Sequence, residues 1–289
     1  MPASTLRAAG MVTLVAAALL GSAYALGRSL VPEHPPQGTG VAASVHAPRY
    51  GDQPPSTDFP GPPAGGYGGP SPDASPSAPD QARQGDDSEG PYGAQITTGS
   101  ARVALTFDDG PDPHWTPQVL ALLKEYGVKA TFCVVGENVE SHPDLVRSIV
   151  ADGHTLCNHS WNHDIGLGKL SPEAIRNDLL RTSDAIRAAA PDARIAYFRQ
   201  PGGAWTNPVV SVCEELGMTP LHWAVDPSDW QAPGADRIVD TVLAQTKPGS
   251  IVLMHDAGGD RSGTVEALQH LLPELLHRYQ LEALPTGTT

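Results

Sequence analysis

Val103-Ala104-Leu105-Thr106-Phe107, then Asp108-Asp109-Gly110-Pro111, then Thr116-Pro117-Gln118-Val119-Leu120, is the passage whose reading decides the fold. The first five residues form a short apolar strand. Thr116-Pro117 opens a helix, with Thr as N-cap and Pro at the first helical position. Leu120 and Leu123 give that helix an apolar face, and Gly127 stops it. The same unit recurs downstream. Strands are expected at 130–135, 154–157, 195–198, 219–225, 250–254 and 281–284. Helices are expected at about 143–151, 207–216, 235–246 and 262–279, with another from Ser171-Pro172-Glu173 whose Ile175, Leu179 and Ile186 share a face. Strand–helix repetition implies an α/β fold with a parallel sheet and helices outside. Seven units suit an irregular (β/α) barrel of about seven parallel strands better than an open sheet. In such a barrel the chemistry sits at the C-terminal strand ends.

The rest of the 289 residues divides sharply. Residues 31–99 are crowded with Pro, Gly, Ser and Asp and read as a disordered linker. A flexible chain of that length spans ~45 Å r.m.s.. Residues 100–286 are left as one folded domain, large enough to bury a substantial core. At the front, within residues 1–30, Arg7 precedes an apolar run at 8–27 that ends in Ala23-Tyr24-Ala25. At ~1.5 Å per residue such a run could cross a ~30 Å hydrocarbon layer. The small-x-small ending equally fits a cleaved signal peptide. Both readings place the domain outside the cell, secreted or anchored to the outer face of the plasma membrane. The net charge of −14 argues against nucleic acid as a partner, because phosphate binding needs clustered Lys and Arg. Cys133, Cys157 and Cys213 form no C-x-x-C pair, which excludes the usual zinc-thiolate arrangement. In an oxidising compartment their number fits one disulfide and one free thiol.

Five constellations fall at or just after the expected strand ends. Thr106-Phe107-Asp108-Asp109-Gly110-Pro111 fits an ordinary turn, but paired acids also allow one carboxylate to bind a metal while its neighbour acts as a base. His159-Ser160-Trp161-Asn162-His163 carries two imidazoles at a spacing of one helical turn. Asp109, His159 and His163 together would give three protein ligands and one open position, the pattern of a catalytic zinc site. Arg199-Gln200-Pro201-Gly202-Gly203, Asp226-Pro227-Ser228-Asp229-Trp230 and Leu253-Met254-His255-Asp256 are individually weak, reading equally as a loop, an acidic turn and a packed histidine.

In this order and spacing the five sets resemble the motifs of polysaccharide deacetylases of carbohydrate esterase family 4, the nodulation-protein-B homology domain. The resemblance covers about residues 101–285. It implies that Asp109, His159 and His163 bind a divalent metal, zinc first, with cobalt, nickel or manganese as alternatives. It further implies Asp108 as general base, Arg199 as the partner tuning Asp108, and His255 as general acid. Asp229 would orient His255 or belong to the Arg199 network. The Gly202 N–H would stabilise the oxyanion, and Trp230 and Leu253 would line the groove for sugar and acetyl methyl. Gln200 and Gly202 depart from the Pro and Tyr that the family often has there; the Gly would open the groove and remove one aromatic sugar contact. Cys133 and Cys157 would lie in neighbouring strands, where either a disulfide or separate buried thiols fit. His114, His154 and His222 read as structural or solvated.

The implied activity is removal of acetyl groups from N-acetylglucosamine residues of a polysaccharide, peptidoglycan or chitin-like, by a monomeric enzyme. An acetylxylan esterase could use the same site. A non-catalytic binding relic should have lost a ligand or the base, and none is lost here. A phosphatase would normally want a second metal or several basic clamps, and only Arg199 is available.

Overall fold

The structure, a computed structural model, describes residues 89–286. The expected signal peptide or anchor and the linker up to residue 88 lie outside the described residues. In chain order the elements are β1 (Ala104–Asp108), α1 (Thr116–Glu125), β2 (Thr131–Val134), α2 (Gly136–Ser141), α3 (Pro143–Ala151), β3 (Thr155–Asn158), α4 (Pro172–Ala189), β4 (Tyr197–Phe198), α5 (Asn207–Glu215), β5 (Thr219–Pro220), α6 (Ala235–Gln245), β6 (Ile251–His255) and α7 (Ser262–Arg278). All strand pairs are parallel, in the order β5-β4-β3-β2-β1-β6.

The parallel α/β architecture read from the sequence is what the chain adopts, as a curled half-barrel. Its sheet has six strands rather than about seven, because the stretch at 281–284 makes only a single parallel bridge, Val103 to Leu281. Curling is completed by the stretch expected as a strand at 219–225. Its start pairs with β4, and its end reaches the opposite edge, where Val225 bridges Val252 of β6 and Leu253 N–H donates to the Val225 carbonyl. The folded part also begins earlier than expected. Residues 89–99 show no strand–helix alternation, yet Ala94 is fully buried, Gln95 bridges Leu221 and Thr97 bridges Ser250.

Strand alternation sorts the side chains onto two faces. Leu105 and Phe107 of β1, Phe132 and Val134 of β2, and Val252 and Met254 of β6 point outward into the main core beneath the helices. Ala104, Cys133, Cys157, Tyr197 and Ile251 form a small inner cluster. Two residues beyond these inner positions, towards the strand C-termini, the same face carries Thr106, Arg199 and Leu253. Another two along, it carries Asp108 and His255. The period of two thus converts a short apolar plug at one end of the barrel into a polar floor at the other. Cys133 and Cys157 stand opposite each other in β2 and β3 and are joined as a disulfide. Cys213 is free and buried, and burial pushes its thiol up.

Ser171 caps α4 and Thr206 caps α5 with their hydroxyls, as residues before Pro-opened helices should. Thr116 does not cap α1. Its hydroxyl accepts from Asp112 N–H and donates to the Asp256 carboxylate at 2.5 Å. α1 has no side-chain cap; Asp112 instead fixes the turn before it, accepting from the N–H groups of His114 and Trp115. Among the described residues no helix is long and apolar enough to cross a membrane.

Candidate active site

Asp108 ends β1 on the inner face, and Asp109 turns the chain over it with φ +75°. Five of the six non-glycine residues with positive φ among the described residues lie in loops at this end: Asp109, Ser160, His163, Ser228 and Ala232. Such backbone conformations persist only where neighbours over-determine them, and they concentrate at functional sites.

Arg199, fully buried just past β4, serves as the floor. Its guanidinium donates to Asp108 Oδ1 at 2.6 Å, to Thr106 Oγ1 at 2.8 Å and to the carbonyls of His222 and Leu221 at 3.0 and 3.4 Å. The fork is thus almost fully occupied, which is what makes a buried guanidinium tolerable. Thr106, absent from the expected site, passes its own proton to the Val252 carbonyl.

Asp109, His159 and His163 converge, each offering one ligand atom within 4.8 Å of the others. Asp109 Oδ1 lies 3.5 Å from His159 Nε2 and 3.2 Å from His163 Nε2. The imidazoles do not meet across a helical turn as the spacing suggested. Residues 159–163 form an irregular loop, bent by the left-handed Ser160 and His163. Its surroundings fix that shape: Ser160 N–H donates to Asn158 Oδ1, Trp161 N–H to Asp178 Oδ1, and the first N–H groups of α2 to the carbonyls of Ser160 and Trp161. A Cβ at Gly136 would strike the Trp161 ring, so α2 can begin there only with glycine.

A divalent cation fits this cluster on two observations. Buried Asp109 Oδ1 has no hydrogen-bond partner. His159 Nδ1 faces the Arg199 carbonyl at 2.8 Å, and a carbonyl only accepts, so the proton sits on Nδ1 and the Nε2 lone pair is left for a ligand. Burial raises the Asp109 pKa, but the electrostatic pull of the surrounding histidines, His159, His255 and His163, outweighs it and holds the carboxyl well below its usual range. Burial, together with the His159 charge, lowers His163 and so favours its neutral, ligating form.

His255 ends β6, in register with Asp108. Its Nδ1–H donates to Asp229 Oδ1 at 2.7 Å and its backbone N–H to Asp229 Oδ2 at 2.9 Å. Asp229 therefore belongs to His255, not to the Arg199 network. Burial alone would lower the His255 pKa; the Asp229 charge and hydrogen bond overcome it and raise the ring to about 9. Trp230 is half exposed beside this pair, whereas Leu253 is 3% exposed and can offer a substrate only its edge. Gly202 is exposed with φ +61°, and a Cβ on it would touch Ile165, an exposed aliphatic residue that sequence alone did not single out. His154 and His222 are structural, as expected: each accepts a hydrogen bond at Nδ1 and is pushed down to about 4, mainly by burial.

Asp256, next to His255, has no part in the motif roles. It is fully buried under the Gly110–Pro111 turn, where a Cβ on Gly110 would sit 2.5 Å from its carboxylate. Burial raises it to about 7 against the opposing Thr116 hydrogen bond.

The geometry defines a class: a curled parallel half-barrel in which one carboxylate and two imidazoles that could hold a cation lie between an arginine-held carboxylate and a carboxylate-held histidine. Comparison with known proteins makes the class specific. A family model described as "Polysaccharide deacetylase" matches residues 95–221. The chain is 42% identical over 200 residues to a chitooligosaccharide deacetylase of Bradyrhizobium sp. (strain ANU 289), covering 65% of this chain and 91% of that protein. Among solved structures it matches the Bc1960 peptidoglycan N-acetylglucosamine deacetylase with a TM-score of 0.63 and 36% identity, over 66% of this chain and 89% of the other. It also matches BA3943 of Bacillus anthracis, described as a pseudoenzyme of carbohydrate esterase family 4, with a TM-score of 0.60 and 30% identity, over 65% of each chain. The chain belongs to the polysaccharide deacetylase family, carbohydrate esterase family 4.

Proposed function

We propose that this protein is an active, metal-dependent N-deacetylase that hydrolyses the acetamide of N-acetylglucosamine residues in chitin-like chains or peptidoglycan. Membership alone does not carry the proposal, since a family pseudoenzyme has the same fold. It is carried by the completeness of the cluster: Asp109, His159 and His163 within one ion's reach, with Asp108 Oδ2 only 3.6 Å from His159 Nε2.

Asp109, His159 and His163 would hold the ion, zinc being the first choice for one carboxylate and two imidazoles. Such an ion supplies Lewis acidity that polarises the acetyl oxygen and makes a water acidic enough to attack near neutral pH. Asp108, steadied by Arg199 on Oδ1, takes the water's proton on Oδ2. The Gly202 N–H stabilises charge on the former carbonyl oxygen. His255, charged by virtue of Asp229, delivers a proton from Nε2 to the departing nitrogen, which an amine leaving group requires. Trp230 gives the sugar a flat face. Acetylxylan esterase activity is the second reading, since an alkoxide leaves with less help from an acid. Export fits both the apolar N-terminal run and the Cys133–Cys157 disulfide.

The test is acetate release from N-acetylated chitooligosaccharides, peptidoglycan and acetylated xylan, with and without chelator. Chelator-sensitive release from the first two supports the proposal. Release from xylan alone moves the assignment to the esterase. No release from a zinc-loaded protein places it with the inactive relatives.

A further inference from the structure

Asp229 and Trp230 sit in a single tight turn, Asp229–Gln231, whose flanking residues Ser228 and Ala232 are both left-handed without being glycine. The turn closes on itself through Gln231 N–H to the Ser228 carbonyl and Ala232 N–H to the Asp229 carbonyl, and Asp226 Oδ1 accepts from Ser228 N–H at its entry. What ties it to the strand that carries His255 is the residue before α7. Arg261, 2% exposed, reaches under the turn and donates to the carbonyls of Asp229 at 2.8 Å and Trp230 at 3.4 Å, and to that of Gly258, in the loop after β6, at 3.2 Å. All three bonds go to main chain, so the guanidinium acts as a clamp between two loops. A Cβ on Gly259 would approach Arg261 Nη2 to 2.9 Å, so the passage is tight. One turn further along α7, buried Thr264 donates to Asp229 Oδ2 at 2.8 Å. The carboxylate is thereby held from two sides, with Oδ1 turned to the His255 ring.

We propose that Arg261 is a positioning residue for the acid half of the site: by gripping the carbonyls of Asp229, Trp230 and Gly258 together, it sets Asp229 against His255 and Trp230 in its half-exposed place beside them, and Thr264 locks the carboxylate from the same helix end. The idea rests on the proposed deacetylase reading for its kinetic consequence, but its geometric claim can be read without activity.

The experiment compares Arg261→Ala, Arg261→Lys and Thr264→Val with the parent protein. It measures kcat and KM on N-acetylated chitooligosaccharide and on an activated acetate ester, zinc content, and the His255 ring titration by NMR in the metal-free protein. Arg261→Ala is expected to lower amide kcat by ~10–100-fold, the scale of a small misplacement of a catalytic group. Ester kcat should change less than about threefold, since an activated leaving group needs little acid. Zinc content should hold, and the His255 midpoint should fall as Asp229 loosens. Added guanidinium should restore part of the amide rate. Lysine, lacking the fork, should not, and Thr264→Val should move both readouts the same way by less. Equal losses on amide and ester, a parallel loss of zinc, or an unmoved His255 midpoint in folded variants overturns the proposal. Should Arg261→Ala not fold, Arg261→Lys with an unaltered amide-to-ester ratio overturns it as well. If the parent protein releases no acetate, the deacetylase reading fails while the His255 midpoint still decides the clamp.

Discussion

Asp108 and His255 stand side by side at the ends of adjacent strands, in register, on the same inner face, and the fold treats them in opposite ways. Asp108 receives a guanidinium from below, Arg199 at 2.6 Å; His255 receives a carboxylate from the side, Asp229 at 2.7 Å. One strand end is held as an acceptor and its neighbour as a donor. Hydrolysis of an amide needs both at once, and two like groups could not supply them. The comparison breaks most severely at Asp108. Asp108→Asn keeps the side-chain shape but removes the base, and should cut deacetylation by about 10³-fold with zinc content unchanged. Arg199→Met attacks the same pair from below and leaves a buried carboxylate unpaired, a loss of about 3–5 kcal/mol in denaturant unfolding. Asp108→Asn added to Arg199→Met should recover part of that stability. A double variant no more stable than Arg199→Met alone would show that Arg199 is needed for its carbonyl contacts rather than for Asp108.

The acid half should fail more selectively. His255→Ala is expected to slow amide hydrolysis by about 10²-fold while sparing an activated ester, and equal damage to both would count against proton delivery. The pH dependence sharpens this. A folded-state value of about 9 lies above the ordinary 6.5, so the charged His255–Asp229 pair contributes stability that is fully present below the ordinary value and is lost as pH rises through about 9. In the metal-free protein His255 should titrate near 9. In Asp229→Asn, with the anion gone and the burial kept, the midpoint should drop, and the alkaline limb of amide hydrolysis should move down with it. Asp108→Asn removes a smaller raising charge and should lower the midpoint less than Asp229→Asn does.

These contrasts also mark where the sequence was legible. Asp108, Asp109, His159, His163, Arg199, Asp229 and His255 were all expected at strand ends, and the structure brings them to one end of the barrel. A motif read after a strand is reliable because strand alternation fixes which side chain faces in. The 159–163 loop was expected for the wrong reason, because left-handed Ser160 and His163 are set by contacts with Asn158, Asp178 and α2 that local spacing does not encode. Thr116 looked like a cap because Thr-Pro opens helices, but a buried carboxylate 140 residues away, Asp256, claimed its hydroxyl. Residues 89–99 carried no periodic signal, since an isolated bridge needs no alternation. Arg261 and Thr264 escaped for the same reason. Their partners are main-chain carbonyls and a distant carboxylate, invisible to any local pattern.

The smallest expected effect on activity lies deeper on the inner face, where the Cys133–Cys157 disulfide joins β2 to β3 across 24 residues. The two strands are hydrogen-bonded on either side of the link, so the native geometry does not depend on it. Its contribution comes mainly from restricting the unfolded chain, about 2–4 kcal/mol for a loop of this size. Replacing both cysteines with alanine should therefore lower the melting temperature and the denaturant midpoint, while kcat at 25 °C stays within about twofold and zinc content holds. Cys213→Ala, which removes a buried thiol but no cross-link, should cost less. If zinc content and deacetylation instead fall together in the double variant well below its melting temperature, the disulfide is shaping the Asp109–His159–His163 cluster above it. The separation between a structural plug and a chemical floor on the inner face would then have to be redrawn.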